Sequence, residues 1–159
     1  MTARTSRRPR GVGVLLVSAL ASLALAGCSM SAVEADDVVQ LVDLGDSWGR
    51  PLPRTSTLES VATSEIGPHG EHDAVYVFTI PASDVEGAWE RDRFTAPPTR
   101  TERDLMDSIM DTSGAELDPE QLQALLCQDE VTSEGDPEDH LVVCLQPETR
   151  RYVAFERRV

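Results

Sequence analysis

The sequence predicts an α+β domain: a small antiparallel sheet of about four strands packed against two or three helices. Three observations predict it. Strand-like segments open and close the region after residue 54, and helical patterns lie between them, an order that favours α+β. Residues 74–80 place Ala74, Tyr76, Phe78 and Ile80 on one face and Val75 and Val77 on the other, so this strand is apolar on both faces and central to its sheet. Residues 141–145 and 152–156 are two more strand patterns separated by a polar stretch with Pro147, a hairpin that ends the chain.

In chain order, Val38, Leu41 and Val42 have helical spacing, and Gly45 is the expected terminator. Residues 46–54, with Trp48, Gly49, Pro51 and Pro53, read as a loop that gives Trp48 a local contact. Residues 55–66 carry two signals. Ser56 and Glu59 have capping-box spacing, while Thr55, Thr57, Val61 and Thr63 are β-branched. The strand is preferred, because strand 74–80 needs a partner. Residues 67–73 are a turn by composition, and Pro81 ends the strand that follows.

Ser83 and Glu86 then suggest a capped helix burying Val85, Ala88 and Trp89, weakened by Gly87. Pro97 and Pro98 mark a linker. Thr101 with Asp104 begins the next helix, which turns Leu105, Met106, Ile109 and Met110 inward and closes at Gly114. Asp118 and Pro119 start another, with Leu117 and Leu122 spaced as a hydrophobic staple and Leu122, Leu125 and Leu126 as its stripe. The acidic stretch 129–139 is expected to be an exposed loop.

The N-terminus has a different character. Arg4, Arg7, Arg8 and Arg10 precede an apolar run of about 15 residues, and no acidic residue occurs before Glu34. The run is shorter than the roughly 20 residues a membrane-spanning helix needs. It ends in Leu25-Ala26-Gly27-Cys28. Here the chain resembles the bacterial lipoprotein class, whose lipobox is Leu, two small residues and Cys. The resemblance covers residues 1–28. It implies a signal peptide over 1–27, drawn as a helix in the precursor, and a diacylglycerol on Cys28, which becomes the mature N-terminus. Residues 28–37 are then a lipidated tether and 38–159 a single domain. Two acyl chains hold a protein stably on a membrane, so the expected location is the outer face of the cytoplasmic membrane.

Cleavage before Cys28 leaves ten arginines against 28 acidic residues, a formal charge of −18. Such a charge disfavours nucleic acid and anionic lipid surfaces and suits a protein or cationic partner. The chain contains no lysine. A lysine Schiff base, a Ser-Lys dyad and a P-loop lysine are therefore excluded. Cys127 and Cys144 are the cysteines left beside Cys28, and an oxidising compartment favours their pairing. With residue 127 expected at a helix end and 144 in a strand, the bond would pin one layer to the other.

His69 and His72, in H-G-E-H-D, are the one local cluster of metal-capable side chains, and two histidines alone are a weak metal signal. The acidic stretch lacks the ligand spacing of an EF-hand, and no Gly-x-Ser-x-Gly occurs. The expected role is a membrane-anchored acidic lipoprotein acting as a binding or interaction module, with no catalytic residue and no cofactor assigned. The alternatives are a cell-envelope hydrolase and a metal-binding lipoprotein using His69 and His72.

Overall fold

A computed structural model describes residues 35–128, 131–132 and 136–159. Cys28 and the expected signal helix lie outside the described residues. The fold is α+β. Helix α1 spans Ala35–Ser47, and strands β1 (Thr57–Thr63) and β2 (His72–Thr79) follow. Helices α2 (Arg100–Ser113) and α3 (Pro119–Gln123) come next, then strands β3 (Leu126–Cys127), β4 (Val131–Thr132), β5 (His140–Gln146) and β6 (Arg151–Arg158). The strands form one antiparallel sheet in the order β1-β2-β6-β5-β3, with β4 also paired to β5. The sheet thus exceeds the four strands expected, because β5 recruits two short segments that carry no strand signal of their own.

The two apolar faces of β2 and β6 decide the layering. Ala74, Tyr76, Phe78, Tyr152 and Ala154 pack with Leu41 and Leu44 of α1, and with Trp48, Trp89 and Phe94. Val75, Val77, Val153 and Phe155 pack with Met106 and Ile109 of α2 and with Leu125. The chain is therefore layered on both faces of the sheet. On the first face, Tyr152 is ringed by Phe78, Trp89 and Phe94 at centroid distances of 5.5–5.9 Å, and its hydroxyl donates to the carbonyl of Trp89 at 2.8 Å.

Helix α1 runs past its expected end. Gly45 is a buried residue inside it, while Gly49, at φ +61°, terminates it. The Gly49 N–H donates to Asp46 O and the Arg50 N–H to Gly45 O, the two bonds of a Schellman cap. The chain then folds back across Gly45, where an added Cβ would stand 2.7 Å from Arg50 O and 2.8 Å from Leu52 N. The glycine is required by close backbone approach and not by helix termination.

The helix expected after Ser83 does not form. Two 3-10 turns, Gly87–Trp89 and Arg91–Arg93, stand there instead. Gly87 lies at φ +60°, which breaks any α-helix, and the Ser83 hydroxyl is bonded to Asp84. Trp89 is buried as expected. Helix α2 begins two residues earlier than the Thr101 signal: Thr99 and Glu102 form a reciprocal capping box, and Gly114 closes the helix in the left-handed region. Asp118 caps α3, with Pro119 in its first turn, but the helix stops at Gln123. Residues 55–66 contain the preferred strand, β1, with a bulge between Leu58 and Ser60. β5 and β6 form the terminal hairpin, whose turn holds Arg150 at φ 62°.

Cys127 and Cys144 form a disulfide, but not one between layers. The short α3 leaves residue 127 in β3, directly opposite Cys144 of β5, with Cα atoms 3.9 Å apart. The Cys127 N–H is donated to Ala96 O on its other side. The bond joins neighbouring strands and closes a sequence separation of 17 residues. On the chain-entropy account this contributes about 3 kcal/mol.

Two predictions arise here. Gly45→Ala should destabilise by about 1–3 kcal/mol in urea unfolding, since backbone on the returning segment must shift; an unchanged midpoint would contradict the close approach. Reduction should lower the melting temperature, and Cys127→Ser, Cys144→Ser should melt with the reduced protein. Equal melting of oxidised and reduced protein would contradict a stabilising bond.

Candidate functional site

At the end of the sheet where β2 begins and β6 finishes, one carboxylate is buried beneath α1. Alternation along β6 puts Tyr152, Ala154 and Glu156 on the α1 face, and Glu156 is only 3% exposed. Ala74 lies directly opposite it on β2. That small side chain leaves room for His72 and Tyr76, two residues to either side, to reach the same carboxylate.

Three donor groups converge, and a histidine ring stands beside them. Trp48 Nε1 donates to Glu156 Oε1 at 2.6 Å and Arg158 Nε to the same oxygen at 2.9 Å. The Tyr76 hydroxyl donates to Oε2 at 3.1 Å, and His72 Nε2 stands 3.4 Å from it. The Arg158 guanidinium lies 4.2 Å from the Trp48 ring centroid, a cation–π contact. It also donates to Asp139 at 3.0 Å. Asp139 in turn accepts the backbone N–H of Val159 at 2.9 Å. Burial pushes the Tyr76 phenol up, and the charge and hydrogen bond of Glu156 push it further, so the hydroxyl is held as a donor.

Above this carboxylate a cleft of about 420 Å³ opens between α1 and the sheet. Gln40, Asp43 and Ser47 of α1 form one wall, and Val61, Thr63 and Ile66 the other. A second, more open cavity of about 610 Å³ adjoins it, sharing His72 and Arg158. On that side, the other face of the sheet, Arg157 grips Asp73 in a two-pronged ion pair, 2.8 Å at each contact. Thr112 also donates to Asp73, and Arg157 to Ser108 Oγ at 2.9 Å. Burial raises the Asp73 carboxyl, but the bonds from Arg157 and Thr112 outweigh it and hold the group below its usual range.

The residues singled out from sequence are dispersed. His69 is exposed in the loop before β2, its backbone N–H donating to Glu71 Oε2 at 2.9 Å. His72 turns Nδ1 to the Gly70 carbonyl at 2.8 Å and Nε2 to Glu156. Among the described residues, no three His, Cys, Asp or Glu side chains converge as metal ligands would. Cys127 and Cys144 sit in β3 and β5, on the far side of β6 from β2. Within the acidic stretch, Asp139 is not the solvated charge expected but a buried partner of Arg158. Trp48 is likewise buried and not a loop contact. Sequence reasoning missed Glu156; the available signal was its register, two residues beyond Ala154 on an apolar face.

No family model, curated protein or solved structure matches the chain.

Removing Glu156 leaves the Arg158 Nε–H, the Trp48 N–H and the Tyr76 hydroxyl without their acceptor, while Arg158 keeps Asp139. Glu156→Ala should cost about 3–5 kcal/mol in denaturant unfolding, and Glu156→Gln, which keeps an acceptor oxygen, should cost less. Equal losses would show that the charge alone matters, and that neither the stem nor the remaining acceptor oxygen contributes. For Asp73, a folded-state pKa below the unfolded one adds stability above the ordinary carboxylate range near about 3.9. That stability is lost as pH falls through the folded value. Asp73→Asn should therefore be less stable than wild type at neutral pH, and the difference should shrink in acid.

Proposed function

We propose that this chain is an acidic lipoprotein held on the outer face of the cytoplasmic membrane by a diacylglycerol on Cys28, and that its domain works as a binding module. The observation that carries the binding reading is the state of the cleft. Its polar floor is already engaged: three donors meet Glu156, and both ring nitrogens of His72 face oxygens of Gly70 and Glu156. What the cleft offers is a shaped surface on a rigid frame.

The anchor reading rests on the basic start, the short apolar run and Leu25-Ala26-Gly27-Cys28. The Cys127–Cys144 disulfide is in keeping with an oxidising compartment. The test is partitioning of protein made in a lipoprotein-processing bacterium. Wild type should enter the detergent-rich phase and Cys28→Ala should stay in the aqueous phase. Identical partitioning of the two would overturn the anchor.

A further inference from the structure

Among the described residues, the exposed large apolar side chains are Val39, Val61, Ile66 and Val159, at 54%, 37%, 73% and 54% exposure. Three of them, Val61, Ile66 and Val159, are gathered at one end of the domain. Val61 and Ile66 line the cleft under α1, Val159 lines the cavity beside it, and Val39 precedes Gln40 of the cleft wall. The two cavities meet at His72 and Arg158. Apolar side chains exposed together around a concave surface mark an interaction site more often than scattered ones do.

The charges around this surface have one sign left over. Arg157 is paired with Asp73, and Arg158 with Glu156 and Asp139, so both arginines of the cavities are neutralised in place. Asp43, on the α1 wall, and Glu65, beside Ile66, are exposed and form no ion pair among the described residues. The surface is therefore apolar at its centre and acidic at its rim, in a chain of formal charge −14. An anionic bilayer is repelled by such a rim. A protein segment carrying apolar residues beside arginine or lysine matches both features, the apolar residues filling the cleft and the cations meeting Asp43 and Glu65.

We propose that this end of the domain docks a basic, apolar-anchored protein segment, with Ile66 and Val61 as the apolar contact and Asp43 and Glu65 as its charged rim. The proposal rests on the binding-module reading and names the chemistry of the partner. The anchor test with Cys28 does not involve these residues, so the two fail separately.

The experiment uses the full chain in zwitterionic lipid nanodiscs and three fluorescent hexapeptides: alternating leucine and arginine, alternating serine and arginine, and alternating leucine and glutamate. Anisotropy at moderate salt should show the leucine–arginine peptide binding at least tenfold tighter than either other. Ile66→Ser changes a side chain already in solvent and should leave folding intact by circular dichroism. It should weaken that peptide at least fivefold, and Asp43→Asn with Glu65→Gln should weaken it further and flatten its salt dependence. Three results would overturn the proposal. The serine–arginine peptide must not match the leucine–arginine one, since equality means charge alone drives binding. Ile66→Ser must not bind the peptide as wild type does. Nor must Ile66→Ser reduce binding of the nanodisc-held chain to anionic vesicles while leaving the peptide unaffected, which would make the patch a membrane contact.

Discussion

The constraint on which this fold depends is a strand pair, β2 and β6, that is apolar on both faces. A chain of this size must then cover the sheet twice. α1 and the segment through Trp89 and Phe94 cover one face, and α2 with Leu125 covers the other. Neither cover is a long helix packed along its whole length. The first face is closed by aromatic rings around Tyr152 and by loop backbone bonded to side chains. Examples are Trp89 Nε1 to Pro51 O at 3.0 Å and the Tyr152 hydroxyl to Trp89 O. That explains why irregular segments here are as deeply buried as the helices.

Glu156 is the exception that this double burial creates. The β6 register carries it onto the α1 face, where an unpaired charge is very costly. The structure answers with hydrogen bonds from Trp48, Tyr76 and Arg158, and the His72 ring lies beside them. Through Arg158, Asp139 ties in the chain before β5. One buried carboxylate thus couples the end of α1, the start of β2, the entry to β5 and the C-terminus. The Asp73–Arg157 pair does related work on the opposite face, joining β2 and β6 to Ser108 and Thr112 of α2. The end of the sheet is fixed by charge where its middle is fixed by apolar packing, and the cleft opens at that charged end.

What was legible in the sequence follows from how local the information was. β2 and the terminal hairpin were readable because alternation and proline act over a few residues. The ends of α2 and the start of α3 were near-readable because caps are local; Thr99 with Glu102 simply outcompetes Thr101 with Asp104. Gly49 took the terminating role expected of Gly45, because only the tertiary path of residues 50–52 distinguishes close approach from termination. β3 and β4 were invisible, each being two residues whose strand character comes from β5. The cysteine pairing was legible by compartment and parity, while its place within the sheet was not. His72 stood out as a metal-capable side chain, yet its role here is set by Glu156, a residue whose position at the end of β6 reads locally as solvated.

The central claim is a disulfide-bonded domain anchored by lipid at Cys28, and the intact mass of the native protein extracted from membranes tests it most directly. The account predicts a chain beginning at Cys28, heavier by a diacylglycerol and any further acyl group, with Cys127 and Cys144 oxidised. A chain that retains the residues before Cys28, or one that begins at Cys28 without lipid, would contradict it.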